Sequence, residues 1–391
     1  MGRFQGEETL KKIKILFITG SRGEWGYIRP VLKLCKKRKD VEFSICVTNM
    51  HLLSSFGLSK KEIEADGFKI DHVVYMSLDG YNHYTMVKSL GIFLNSLTDI
   101  IASEKPDWIM LAGDRGEQLM GAMVGAFCYI PVAHIQAGEL SGNIDCMTRH
   151  AIGKYSHIHF ASNDDAVNRL KRLGEEPFRI YKVGAPQIDE LVEGMYTKRL
   201  ELEQKYSINL RRDYILMMQH PVTEQAGKAS EQIKATMDAL KEFDILKIVV
   251  LPNNDAGSLM IREGIENNRH GEYNIFSNLK REDYLGFMKY AACIVGNSSS
   301  GIIEAPTFKI PAVNLGRRQN KRVRGNNVID APFQKHRIIR AIKKALSEDF
   351  RETVEKDCKN PYGSGGSSGK ILNILLNTKK NDKLLIKNLT Y

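Results

Sequence analysis

The chain has 391 residues, of which 42% are hydrophobic and 26% are charged, with a formal net charge of +11. This composition is typical of a folded globular protein and excludes a largely disordered, collagen-like or coiled-coil chain. No apolar run approaches the roughly 18 residues that a membrane helix needs, which predicts a protein without a membrane partner. The apolar stretch at residues 15–20 is too short for a signal-peptide core, so we expect a cytoplasmic protein.

The six cysteines contain no C-x-x-C pair, which argues against structural zinc and disulfides and favours a reducing compartment. The basic surplus by itself is compatible with nucleic acid, an anionic membrane surface or a small anionic substrate. Aromatic residues do not interleave with the basic runs, and no zinc-finger, helix-turn-helix or RNP pattern occurs. We therefore predict no nucleic-acid partner.

Short apolar runs alternate with longer amphipathic stretches, the pattern of parallel strands joined by crossover helices. In the first half, the pattern predicts strands over residues 13–19, 42–48, 107–112, 132–135, 157–161 and 179–183. The helices between them are expected over residues 27–37, 86–103, 147–155 and 164–173.

A second series begins after the charged segment at residues 198–212. It predicts strands over residues 214–219, 245–251, 275–277, 293–297 and 311–315, and helices over residues 230–242, 259–267, 281–289 and 334–346. A polar break at residues 360–370 precedes a last apolar helix near 371–376. The predicted fold class is α/β, with two Rossmann-like domains facing a cleft. We place the domains at residues 1–190 and 191–375, followed by a basic C-terminal tail at 376–391.

Polar loops follow several of the predicted strands, where ligands bind in open parallel sheets. The first loop, TGSRGEWG at residues 19–26, lacks the G-x-G-x-x-G dinucleotide pattern. A tight turn explains it about as well as an anion site at a helix N-terminus, and Arg22 favours the anion site. The GDR loop at residues 113–115 brings Asp114 and Arg115 to a strand end, either for chemistry or as an ion pair that pins the loop.

The densest polar stretch is HIQAGELSGNIDCMTRH at residues 134–150, which contains Glu139, Asp145 and Arg149. Acids and histidines around one strand end are what proton transfer requires. The spacing fits no zinc pattern, so we expect no metal. The alternative is a polar loop in which Asp145 caps a helix.

In the second half, His220 follows a strand in QHPVT, where a lone histidine is usually structural. The loop PNNDAGS at residues 252–258 is, taken alone, more typical of a turn than of a site.

The loop GNSSSG at residues 296–301 offers hydroxyls and backbone N–H groups to phosphates. Glu304, one to two turns into the next helix, suits ribose hydroxyls or the helix start. A basic cluster at 317–324 suits phosphate or forms a solvated face.

In order, these motifs resemble those of the hydrolysing UDP-N-acetylglucosamine 2-epimerases of sialic acid synthesis. The matching stretches are GDR, residues 134–152, QHPVT, PNNDAGS, GNSSSG and NLGRRQ at residues 314–319. They cover roughly residues 13–375, and the ordered set is far more specific than any one motif. The resemblance implies a glycosyltransferase-B-like fold, a C-terminal helix that packs back, and no metal or other cofactor.

The resemblance also implies a division of labour between the domains, with sugar and catalytic loops in the first and UDP mainly on the second. The residues implied to hold UDP are Arg22, Arg115, Ser298, Ser299, Glu304 and Arg318. Those implied to act near the sugar are Asp114, Gln136, Glu139, Asp145, Arg149 and His220. Family members are typically homodimers or homotetramers.

The implied chemistry eliminates UDP to give a 2-acetamidoglycal, adds water, inverts C2 and releases a free sugar of the N-acetylmannosamine type. One residue departs from the family: an acid generally regarded as catalytic is replaced by Gln136. An amide cannot shuttle a proton at neutral pH, so the base must be Asp114, Asp145 or Glu139. A similar loss occurs in relatives that convert UDP-N,N'-diacetylbacillosamine to 2,4-diacetamido-2,4,6-trideoxymannose for legionaminic acid, and the sugar stays open between the two.

Two other functions remain as alternatives. A glycosyltransferase of the same fold would share the phosphate-binding loop, but it has no need of the acid-rich stretch at residues 134–150 together with QHPVT. A nucleotide-sugar-binding regulator without catalysis is suggested by Gln136.

Overall fold

The computed structural model describes residues 12–79, 82–268 and 271–390. Residues 1–11 of the predicted first domain and Tyr391 of the predicted tail lie outside the described residues. The strands, all paired in parallel, are β1 (Ile13–Thr19), β2 (Val41–Thr48), β3 (His72–Val74), β4 (Trp108–Ala112), β5 (Val132–Ile135), β6 (Ile158–Ala161), β7 (Ile180–Lys182), β8 (Tyr214–Met218), β9 (Leu246–Val250), β10 (Tyr273–Phe276), β11 (Cys293–Gly296), β12 (Ala312–Leu315) and β13 (Val328–Ala331).

The strands form two separate sheets. The first is seven-stranded with the order β3-β2-β1-β4-β5-β6-β7, and the second is six-stranded with the order β10-β9-β8-β11-β12-β13. In each sheet the direction of the strand order reverses beside the strand that comes first in the chain, which is β1 in the first sheet and β8 in the second. Such a reversal creates a crevice at the carboxyl ends of the strands. We call each sheet with its helices the first and the second domain. This architecture confirms the predicted pair of Rossmann-like domains, whereas the boundary at residues 190 and 191 stays a prediction.

The helices run between the strands and cover the sheets. They are α1 (Arg22–Lys36), α2 (Lys60–Ala65), α3 (His83–Glu104), α4 (Gly116–Phe127), α5 (Asp145–Tyr155), α6 (Asp164–Arg172), α7 (Gln187–Val192), α8 (Arg199–Tyr206), α9 (Ala229–Leu240), α10 (Ser258–Asn267), α11 (Arg281–Tyr290), α12 (Ser300–Ile303), α13 (Lys335–Leu346), α14 (Glu348–Asp357), α15 (Ser367–Asn377) and α16 (Asp382–Leu385). No described helix is both long and apolar enough to cross a membrane.

Several elements differ from the sequence prediction. Helix α1 begins at Arg22 rather than at residue 27, because Ser21 and Glu24 form a capping box at its start. Strands β3 and β13 were not predicted, since each is a short edge strand of three or four residues. Helix α15 begins at Ser367, inside the predicted polar break.

The C-terminal helix packs back onto the first domain, as predicted. Ile371, Leu372 and Leu375 of α15 are buried in the same hydrophobic cluster as Trp25 and Ile28 of α1. Burial of this apolar surface stabilises the contact, at about 25 cal/mol per Å². Because α15 follows the second domain in the chain, its packing on the first domain joins the two domains in addition to the contacts across the cleft.

Candidate active site

A cleft with a cavity volume of about 190 Å³, partly open to solvent, lies between the carboxyl ends of the two sheets. The predicted residues that line it are Arg22, Asp114, Arg115, Asp145, His220, Ser298, Ser299, Glu304 and Arg318. Gln136, Glu139 and Arg149 are buried behind its wall.

The loop after β1 joins the two domains through Arg22. Its guanidinium donates to Asn278 Oδ1 at 2.9 Å, and to the carbonyl oxygens of Ser277 and Leu251, each at 3.2 Å. All three acceptors belong to the second domain. Arg22 thus borders the cleft and holds the first helix against the opposite wall.

A buried histidine and a buried arginine hold the GDR loop after β4 in place. His134 Nε2 lies 2.6 Å from the carbonyl oxygen of Gly113, to which it donates. Burial lowers the pKa of His134 to about 3, so its ring is neutral at physiological pH. Asp114 forms an ion pair with Arg149, whose Nη1 donates to the backbone oxygen of Gln136 at 2.9 Å. Asp114 is therefore held by β5 and α5 together.

Arg115 crosses the cleft to the loop after β9. It donates to Asp255 Oδ1 at 3.0 Å and to Asn254 Oδ1 at 3.3 Å. Burial opposes ionisation of Asp255, but Arg115 and Arg318 hold its pKa below the ordinary value. The PNNDAGS loop, which taken alone reads as a turn, supplies anionic and amide partners to the arginines of the cleft.

Asp145 is the first residue of α5 and faces the cleft. Asn143 Nδ2 donates to its Oδ2 at 2.7 Å, and Arg318 Nη2 lies 3.7 Å from the same oxygen. Burial and the neighbouring Asp114 raise the pKa of Asp145 to about 7, against the opposing effect of Arg318. A carboxyl group with this pKa can both take and return a proton near neutral pH.

Gln136 and Glu139 lie behind this loop. Glu139 is 2% exposed, accepts a hydrogen bond from Ser162 Oγ at 2.6 Å, and lies 3.5 Å from Arg322 Nη2. Gln136 is 1% exposed with a left-handed backbone at φ 63°, and its Nε2 has no hydrogen-bond partner among the described residues. Of the acids that could replace the family carboxylate, Asp114 and Asp145 border the open space.

His220 is held rigidly at the end of β8. Its backbone N–H donates to Asn297 Oδ1 at 2.7 Å, and Asn297 Nδ2 donates to its carbonyl oxygen at 2.8 Å. Its Nδ1 accepts the backbone N–H of Asn253 at 3.1 Å. Burial, with Arg318 and Arg22 nearby, lowers the pKa of His220 well below its ordinary value. The neutral ring therefore carries its proton on Nε2 and acts as a donor.

The serine loop after β11 depends on Gly296, which has φ 144°, and a Cβ there would lie 1.9 Å from the carbonyl oxygen of Met218. Glu304 is the C-cap of the four-residue helix α12, not a residue one to two turns into a longer helix. Its Oε1 accepts from Arg281 Nη2 at 2.6 Å, so its position is fixed by a neighbouring cation. Helix α12 ends early because Pro306, which cannot donate a helical hydrogen bond, follows closely.

Some cleft residues were not found from the sequence. Arg281 and Tyr284, on α11, line the cleft beside Glu304, and Tyr27 lines it near Gly113. Nothing in the local sequence distinguishes them from residues on an ordinary amphipathic helix. For the basic cluster at residues 317–324, which includes Arg322, the sequence left a solvated face as the alternative to phosphate binding. In the structure Arg322 is 6% exposed and donates to the carbonyl oxygen of Leu140 at 3.1 Å.

A family model described as UDP-N-acetylglucosamine 2-epimerase matches residues 33–376. A UDP-N,N'-diacetylbacillosamine 2-epimerase (hydrolyzing) of Legionella pneumophila is 35% identical over 375 residues, covering 96% of this chain and 98% of the relative. A UDP-N-acetylglucosamine 2-epimerase of Neisseria meningitidis is 33% identical over 334 residues, covering 85% of this chain and 88% of the relative.

Among solved structures, UDP-GlcNAc 2-epimerase from Neisseria meningitidis bound to UDP-GlcNAc superposes with a TM-score of 0.80 at 20% identity. The superposition covers 94% of this chain and 100% of that chain, which shows that the glycosyltransferase-B-like fold is shared. Because the family match spans most of the sequence and the relatives exceed 30% identity over most of their length, this chain belongs to the UDP-N-acetylglucosamine 2-epimerase family.

Proposed function

We propose that this chain is a hydrolysing UDP-acetamido-sugar 2-epimerase, with UDP-N,N'-diacetylbacillosamine as its first candidate substrate. The observation that carries the proposal is the pair of groups on opposite walls of one cleft. Asp145, with a pKa near 7, stands on the first domain, and His220, with its proton on Nε2, stands on the second. The reaction needs both groups, one to remove the C2 proton of the sugar and one to donate a hydrogen bond to the leaving diphosphate.

In the first step, Asp145 takes the proton from C2 of the sugar. The electron pair of the C2–H bond forms the C1–C2 double bond, and the C1–O bond to the diphosphate breaks. UDP leaves as an anion, and His220 stabilises the departing oxygen by a hydrogen bond from its Nε2–H. Arg318, Ser298 and Ser299 line the part of the cleft where the diphosphate charge would increase, and they would stabilise it.

In the second step, water adds its oxygen to C1 of the glycal and releases its surplus proton to solvent, while C2 receives a proton on the opposite face. Inversion requires an acid on that face, and we assign this role to Asp114, which takes up a proton from solvent once UDP has left and whose orientation is fixed by Arg149. Glu139 is less suited to the role because Ser162 and Arg322 occupy its carboxylate behind the wall. The product is a free manno-configured sugar.

The nucleotide would bind mainly to the second domain. Glu304 would accept the ribose hydroxyls with the carboxylate oxygen that Arg281 does not bind. Arg22 and Arg115 would add positive charge from the first domain, although both now donate to acceptors of the second. Because arginines supply the positive charge in this arrangement, we expect no metal or other cofactor.

The choice of sugar rests on Gln136. The two relatives reported above are 35% and 33% identical to this chain and have different named substrates. Sequence identity therefore does not choose between the two sugars. Replacement of the family acid by an amide favours the diacetamido sugar, which would place the product in nonulosonic acid synthesis of the legionaminic type. UDP-GlcNAc, giving N-acetylmannosamine for sialic acid synthesis, is the second candidate. A cytoplasmic homodimer or homotetramer is part of the same proposal.

The decisive experiment is incubation with each UDP-sugar in heavy water, without an acceptor. We expect release of UDP and of a manno-configured sugar that carries deuterium at C2, at a higher rate from the diacetamido substrate. A glycosyltransferase would leave both substrates intact until an acceptor is added. Two intact substrates in the absence of an acceptor would therefore contradict the proposal.

A further inference from the structure

The C-terminal segment beyond α15 is tied to the first domain at several points. Lys380 forms an ion pair with Asp107, and Leu384 of α16 is 1% exposed within the first-domain core. Arg179 donates to the carbonyl oxygens of Lys383, Leu384 and Ile386 at 2.9, 2.7 and 3.0 Å. A fully buried guanidinium with these partners fixes the course of the segment.

The segment brings Lys387 to the end of α5. Its ammonium donates to the carbonyl oxygens of Gly153 at 2.9 Å, Lys154 at 3.1 Å and Ser156 at 2.7 Å. It also lies 2.7 Å from Glu175 Oε2. The last carbonyl groups of a helix have no partner within the helix, and a cation there is favoured by the helix dipole. Lys387 therefore caps α5.

Helix α5 links this cap to the cleft. Its first residue is Asp145, and Arg149 one turn later holds Asp114 and the backbone of Gln136. The helix has 11 residues, a length of about 16 Å at 1.5 Å per residue. An α-helix of this length moves as a rigid body, so a shift of its last turn shifts Asp145 and Arg149.

We propose that Lys387 is a positioning residue for Asp145 and Arg149, acting through α5. This inference rests on the proposed function for its kinetic readout. The alternative is that Lys387 contributes only to the stability of the fold. When Lys387 is replaced, Glu175 keeps Lys154 at 3.0 Å as a cationic partner and His159 at 2.9 Å as a hydrogen-bond partner, so the domain should fold.

The test compares Lys387→Met with Lys380→Met, a control in the same segment that does not touch α5. We expect Lys387→Met to lower kcat about tenfold with KM and UDP affinity within twofold, because UDP would be held by the second domain. Lys387→Arg should restore most of kcat, because a guanidinium can also donate to helix carbonyls. A loss of kcat below threefold, or an equal loss in Lys380→Met, would overturn the inference.

A second measurement separates this inference from the proposed function. Titration of the Asp145 carboxyl by NMR, in the full-length protein without substrate, should give a different pKa in Lys387→Met than in the wild type and in Lys380→Met. This result needs no enzymatic activity. A wild-type protein that leaves both UDP-sugars intact contradicts the proposed function, whereas an unchanged Asp145 titration contradicts the positioning role.

Discussion

The backbone N–H of Gly142 donates to the carbonyl oxygen of Arg318 at 2.8 Å, so the two domains touch at the level of the main chain. Gly142 precedes Asp145 by three residues, and Arg318 borders both Asp145 and His220. A Cβ at position 142 would lie 1.8 Å from the carbonyl oxygen of Arg317. The glycine is therefore required by close approach across the cleft.

We expect Gly142→Ala to lower kcat/KM by at least about tenfold, since the clash is with main chain and the domains must separate to relieve it. Steady-state kinetics with the preferred UDP-sugar would measure the loss. Gly91→Ala on α3 is the matched control, because a Cβ there meets nothing within 4 Å. Equal kinetics for the two variants would show that this contact has no role in catalysis.

Asp145 should set the acidic limb of the pH profile. Because its raised pKa is about 7, its basic form is lost as the pH falls through 7, and kcat/KM should fall with it. Asp145→Asn should abolish turnover. A profile with no limb between pH 6 and 8 in the wild type would assign the base to another group.

Although Asp145→Asn should abolish turnover, it should stabilise the folded protein. The folded pKa of Asp145 lies above the unfolded value of about 3.9, so its charged form costs free energy in the folded protein at pH above 7. At pH 8, Asp145→Asn should raise the free energy of unfolding by about 1–3 kcal/mol, and the gain should disappear as the pH falls from 7 to 4. Denaturant unfolding at both pH values tests this, with exposed Asp99→Asn as the control.

His220 can be tested with a side chain that preserves its structural hydrogen bond. In His220→Asn, Oδ1 can still accept the N–H of Asn253, but no donor reaches the position of Nε2. We expect kcat to fall by about 10²–10⁴ while the melting temperature changes little. A large drop in melting temperature would instead assign His220 a structural role.

Glu304 should discriminate nucleotides by their ribose. Replacing the carboxylate in Glu304→Gln should weaken UDP binding by roughly ten- to hundredfold, the value of a charge-assisted hydrogen bond. The wild type should also bind UDP more tightly than 2′-deoxy-UDP, and the variant should lose most of this preference. Calorimetric titration with both nucleotides measures the difference. An equal preference in both proteins would show that the ribose does not contact Glu304.

Gln136→Glu should move substrate preference toward UDP-GlcNAc. The site is buried beside Arg149, whose Nε has no hydrogen-bond partner among the described residues, so a carboxylate there would have a cation close by. The ratio of kcat/KM for the two UDP-sugars measures the shift. An unchanged ratio would remove Gln136 from the explanation of sugar choice.

Much of the fold follows from the sequence because buried parallel strands read as short apolar runs. Residues 13–19 and 132–135 were predicted with the bounds that the structure has. The errors have two different causes. Edge strand β3 forms only by pairing with β2, which its three residues do not reveal, and α12 ends after four residues ahead of Pro306, where a longer helix was expected.

The sequence by itself determined the two-domain α/β fold, the family, and the loops that follow the strands, since these depend on local pattern and motif order. Only the tertiary structure decided which residues of those loops meet. It placed Asp114 and Asp145 at the open cleft and Glu139 behind it, and it paired Arg281 with Glu304. It also brought Lys387 from the basic tail to the carbonyl groups at the end of α5. The net charge of +11 gave no sign of these positions, because burial and pairing depend on contacts between distant segments.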